Sequence, residues 1–120
     1  MSLEDVIVRQ LANCRIGEHE YLKASGWMES VTEAELDELY KEYILFARQT
    51  CVDIAKIHGA PTHRFESGFF APWFPEAIYG SAWEMDRKVL FVAVEHHDKE
   101  SPVGVIVGAL SFEQVEKLSA

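Results

Sequence analysis

The chain has 120 residues, 48% of them from AVILMFWYC and 26% charged, with 7 Gly and 4 Pro. That excludes a disordered, collagen-like or linker-dominated polymer and fits one domain that needs no disulfide or metal staple. Eleven Lys and Arg stand against 20 Asp and Glu, a net −9 with neutral His, and a chain so acidic throughout is repelled by duplex nucleic acid and by anionic membranes. No apolar run approaches the roughly 18 residues of a membrane span. Met1-Ser2-Leu3-Glu4-Asp5-Val6 has acid where a targeting peptide carries base. The expectation is a single cytoplasmic domain over 1–120, with neither nucleic acid nor membrane as partner.

Residues 3–15 read as a helix. Ser2 can cap it, Leu3, Ile7, Leu11 and Cys14 share one face, and Gly17 is a plausible stop. Residues 18–31 are ambiguous; Glu20-Tyr21-Leu22-Lys23 could add a helical turn before Gly26 breaks the run. A long helix follows over 33–58. Thr32 and Glu35 form a capping-box pair, and Gly59 and Pro61 end the run. Its second half is apolar almost all round, with Gln49, Asp53 and Lys56 as a narrow polar strip, which predicts burial on nearly all sides.

After Pro61 the period changes, and 78–85, 88–96 and 103–110 read as strands. A turn at Asp86-Arg87 sets the register Met85–Lys88, Trp83–Leu90, Ser81–Val92 and Tyr79–Val94. Tyr79, Trp83, Leu90, Val92 and Val94 then share one face, and Ile78, Ala82, Val89, Phe91 and Ala93 the other. That second apolar face calls for a cover, from loop 62–77 or from another subunit. Gly104 and Gly108 in the third strand suggest a bulge or a close backbone approach. Ser111 and Gln114 cap a final helix. The fold class is α+β: two N-terminal helices, one long at about 33–58, packed on an antiparallel meander of at least three strands, with a short C-terminal helix.

Segment 65–83 holds 7 of the 14 aromatic residues: Phe65, Phe69, Phe70, Trp73, Phe74, Tyr79 and Trp83. Phe70, Trp73, Phe74, Tyr79 and Trp83 are the candidate ligand or partner site, because such sites concentrate aromatics. The competing reading is that the segment completes the core. His96-His97-Asp98 ends the central strand, with Glu95 before it, and His58 and His63 lie elsewhere. Adjacent histidines in a strand face opposite ways, so at most one joins a given site. No metal-ligand spacing, nucleophile elbow or phosphate loop occurs, and no metal or cofactor is expected. Glu84, Asp86 and Glu95 are carboxylates among aromatics that burial would push to higher pKa. Cys14 and Cys51 read as small core residues. Glu35, Glu38 and Glu42 line one side of the long helix, either as solvated surface or as a face for a basic partner.

These features make the leading expectation a small binding or interaction protein, homodimeric, with the aromatic segment as its site for an apolar ligand or partner, and more plausibly not an enzyme. Two alternatives stand: a small cofactor-free enzyme using a carboxylate or His in the aromatic cleft, and an acidic inhibitor or immunity-type protein for a basic partner.

Overall fold

A computed structural model describes residues 2–64, 70, 72–98 and 100–119. Along the chain run α1 (Leu3–Asn13), β1 (Glu20–Ala24), α2 (Glu33–His58), β2 (His63–Arg64), β3 (Ala77–Met85), β4 (Lys88–Glu95), β5 (Gly104–Ser111) and α3 (Phe112–Ser119). The strands form one antiparallel sheet in the order β1-β5-β4-β3-β2. The α+β class and the β3–β4–β5 meander agree with the sequence. The expected pair of consecutive N-terminal helices does not, because β1 lies between them. Residues 20–24 are an edge strand rather than a helical turn, pairing with β5 through a register shift between Tyr21 and Lys23.

Local chemistry sets the helix ends. Ser2 caps α1 in a capping box with Asp5, and Thr32 caps α2 in one with Glu35. Ser111 and Gln114 bond reciprocally at the start of α3. Gly59, at φ 82°, ends α2 as read from the sequence. Helix α1 stops at Asn13, short of Gly17, because Cys14 takes the left-handed conformation at φ 43° and bonds back to the Gln10 carbonyl. The hairpin turn is Asp86-Arg87, at φ 50° and 62°, as a two-residue connection matching the strand twist requires.

Two cores lie on opposite faces of the sheet. On one, α1 and α2 bury Ile7, Tyr43, Ala47 and Ile54 against Trp83, Leu90, Val92, Val94, Val105 and Val107. On the other, Phe70, Trp73 and Phe74, with Val115 and Leu118 of α3, cover Ala82, Val89, Phe91, Ala93, Ile106 and Leu110. The second face is thus covered from within the chain. Ile78 departs from its expected face: the register shift between Ala77 and Tyr79 turns it toward the helices. The second half of α2 is less buried than its composition predicts, with Leu45, Phe46, Val52 and Ile57 exposed. The sheet reaches only one stripe of that helix.

Candidate functional site

The second face carries a buried carboxylate. Val89, Phe91, Ala93 and Glu95 alternate along it on β4, so the last inward position of a buried strand is a carboxylate, 3% exposed. β5 separates β4 from β1, and Glu95 pairs with Gly104. With no side chain at Gly104, the Tyr21 ring lies across β5. A Cβ there would stand 2.6 Å from Cε1 of Tyr21, and through this gap the Tyr21 hydroxyl donates to Oε1 of Glu95. Gly108 does the same for Phe91 and His19, whose atoms would lie 2.5 and 3.1 Å from an added Cβ. The two glycines therefore admit rings and side chains, where the sequence suggested a bulge or a second backbone.

Two further groups face Glu95. His19 Nε2 lies 3.7 Å from Glu95 Oε1, and its ring meets those of Tyr21 and Phe74 edge-on. His97, half in solvent, sits 3.8 Å from Oε2 of Glu95 and 3.7 Å from Glu76. Burial alone pushes the Glu95 carboxyl up, but the contacts of His19 and Tyr21, with the charges of His19 and His97, outweigh it and hold the carboxyl below its ordinary value. The expected upward shift is thus reversed. The same contact, with burial and the Glu95 charge, pushes the Tyr21 phenol up to about 12. Arg9 and Gln10 of α1 anchor the start of β1 by bonding Glu20, and Gln10 also bonds the Glu18 carbonyl, which fixes the chain on either side of His19.

His19 also lines a cavity of about 190 Å³ between α3, the turn after α1 and the aromatic segment, walled by Trp73, Phe74, Phe91, Leu110 and Leu118, with Arg15 at its rim. Of the five expected aromatic site residues, Trp73 and Phe74 meet there. Phe70 is buried against the sheet beside Trp73. Tyr79 lines a separate, more open groove of about 560 Å³ with Arg48, Cys51 and Arg64. Trp83 lies in the helix-side core and donates from Nε1 to the Gly59 carbonyl. Phe65 and Phe69 fall outside the described residues. The segment thus both completes the core, through Phe70 and part of Trp73, and borders a cavity.

The adjacent histidines part as strand geometry requires. His97 joins the Glu95 side, while His96 turns to α2. There Nε2 faces the Ser101 carbonyl, which can only accept, so in the neutral ring Nδ1 accepts from the Tyr40 hydroxyl. His63 bonds Glu84 across the β2–β3 edge. Cys14 and Cys51 are partly buried against the helix-side core. Burial, opposed only by a Ser81 contact, pushes the Cys51 thiol up to about 11, far from a reactive thiolate.

The three acids expected to form a partner face all have partners in the chain: Glu35 in the cap, Glu38 with Lys41, and Glu42 with Lys23. Among the described residues no group of three or more His, Cys, Asp or Glu is placed to hold a metal, and no helix is long and apolar enough to cross a membrane.

Sequence reading singled out Glu95 but missed His19 and Tyr21. No local signal marks them: Tyr21 lies in a five-residue strand and His19 just before it, and only the sheet order brings both to Glu95. An imidazole turned toward a buried, anionic carboxylate at the wall of an apolar cavity can hold a fixed tautomer and exchange a proton or hydrogen bond with whatever enters. No protein-family model, no curated protein and no solved structure matches this chain.

Proposed function

We propose that this chain is a small binding protein whose ligand, one aromatic ring or a group of that size, occupies the cavity beside Trp73 and Phe74. The observation that carries the reading is the cavity itself, about 190 Å³ with mainly apolar walls and one imidazole. An apolar cavity of roughly 150 Å³ is enough to take up benzene. Ligand sites elsewhere have this character, apolar walls with few polar groups to set orientation. The test is a toluene titration followed by protein NMR. Saturable shifts should appear at His19, Trp73 and Leu118 and vanish in Leu118→Trp, which fills the space from the partly buried α3. Lack of saturation at millimolar toluene would sink the reading.

The enzyme alternative has support from the same imidazole, since a titratable group does lie in the aromatic cavity. Binding stands first because the only other titratable side chain of the described walls is Arg15, at the rim and always protonated, which cannot serve as the complementary acid or base. The homodimer remains part of the proposal, and its support is now confined to α2. With the second sheet face covered internally, Leu45, Phe46, Val52 and Ile57 are what a second copy would cover.

A further inference from the structure

The cavity walls differ sharply in what they offer a ligand. Phe74, Phe91, Leu110 and Leu118 present carbon alone, and Trp73 has only an N–H. His19 is the ring with a nitrogen lone pair. Its Nε2 is turned to Glu95, whose other partners are the Tyr21 hydroxyl and, at 3.8 Å, the half-exposed His97. A carboxylate that is anionic and buried favours the proton on the nitrogen facing it, so the neutral ring carries its hydrogen on Nε2 and its lone pair on Nδ1. Nδ1 has no hydrogen-bond partner among the described residues.

Charge narrows the ligand further. Glu95 stands behind His19, so a carboxylate ligand would meet a like charge. Arg15 at the rim is mostly in solvent and already paired with Glu18. A neutral hydrogen-bond donor avoids both costs.

Given that the cavity is a binding site, we propose that its ligand carries a hydroxyl of phenol or enol type, which donates a hydrogen bond to Nδ1 of His19. In this arrangement Glu95 and Tyr21 are positioning residues. They hold the imidazole as an acceptor, and the apolar walls select the ring.

Three probes of one ring separate the possibilities: toluene with no polar group, anisole with an acceptor only, and phenol with a donor. Wild-type protein should bind phenol about tenfold more tightly than toluene or anisole, the scale of one well-made hydrogen bond out of water. His19→Leu should bind all three alike while still binding toluene. The imidazole ¹⁵N spectrum should place the proton on Nε2 in wild type, keep it there in Glu95→Gln, whose amide oxygen still accepts, and show mixed tautomers in Glu95→Leu.

Equal binding of the three probes overturns the hydroxyl inference and leaves the cavity reading intact, as does preference for anisole. A phenol preference that survives in His19→Leu overturns it too. If no probe binds, the cavity reading falls and the inference with it. Should Glu95→Leu fail to fold, the wild-type and Glu95→Gln spectra decide, since a proton on Nδ1 in wild type contradicts the proposal.

Discussion

Tyr21 on β1 donates its phenol hydrogen to Glu95 on β4, reaching across a strand at the one residue, Gly104, that leaves room for its ring. The two residues are 74 apart in sequence. Their contact ties an edge strand to the sheet centre by side chains, beyond its backbone pairing with β5. It also roofs a carboxylate that would otherwise meet water.

Gly104→Ala tests this relationship directly. The new methyl would stand 2.6 Å from Cε1 of Tyr21, and a ring held between β5 and Glu95 has little freedom to yield. The expected loss is about 1–3 kcal/mol, as for other overpacked sites. Urea unfolding measures it. In a Tyr21→Phe background, which lacks the hydroxyl contact, the ring is freer to move and the loss should shrink. Equal losses in both backgrounds would mean that the clash is with the strand and not with the Tyr21–Glu95 arrangement.

The pH dependence of stability should carry two signatures of this pair. Glu95 titrates in the folded state below its ordinary 4.5. A carboxyl so shifted stabilises the fold above the unfolded value, and the contribution is lost as pH falls through the folded one. The acid arm should therefore be shallower in Glu95→Gln. Glu20, lowered by its bonds from Arg9 and Gln10, adds a second part to that arm and remains in the variant. Tyr21 is shifted the other way, from 10.0 to about 12. Its contribution is full below pH 10 and is lost between 10 and about 12. Burial raises Tyr40 and Tyr43 as well, so phenolate absorbance at high pH should show several late-titrating tyrosines, of which one, Tyr21, moves back toward 10 in Glu95→Gln.

What the sequence made legible was local. The Ser2 cap and two capping pairs, Thr32 with Glu35 and Ser111 with Gln114, each depend on residues three apart. The β3–β4 register followed from one two-residue turn, and all four expected pairs from Met85–Lys88 to Tyr79–Val94 occur. β1 was not legible because five residues, interrupted by a register shift at Leu22, give too short an alternation, and their partner lies some 80 residues later. Ile78 was misplaced for a similar reason, since a bulge flips a side chain without any mark in the pattern. The site was half legible. Trp73 and Phe74 stood out by composition, and Glu95 only as one of three carboxylates among aromatics, with Glu84 and Asp86. His19 and Tyr21 had no local neighbours to point to them, because the sheet order alone brings them to Glu95.

His96 and His97 should respond oppositely to replacement although they are adjacent. His96 is bonded on both ring nitrogens, to Tyr40 and the Ser101 carbonyl. His96→Ala leaves both groups to find other partners and should cost about 1–3 kcal/mol. Tyr40→Phe, removing only the hydroxyl, should cost about 1 kcal/mol. His97 is half in solvent with two loose ion pairs, so His97→Ala should stay within about 0.5 kcal/mol of wild type. Thermal or urea unfolding of the three variants is sufficient, and equal effects at 96 and 97 would contradict the facing of the strand end.

The proposed dimer rests on the outer side of α2. Leu45 and Val52 are seven residues apart and Phe46 and Ile57 eleven, so each pair forms a strip along the helix. Gln49, Asp53 and Lys56 run between the strips and are bonded to one another through Asp53, so covering them strands no charge. Two copies crossing antiparallel over 45–57 would send the acidic first halves of α2, Glu33 to Glu42, to opposite ends of the pair. That arrangement lets chains of net −9 associate. Light scattering at micromolar concentration should give twice the chain mass, with an interface above about 1,000 Å² in total. Leu45→Asp with Val52→Asp should give a folded monomer with unchanged circular dichroism, because both side chains are exposed within one chain. A wild-type protein that runs as a monomer would remove the dimer and leave these four side chains as ordinary apolar surface.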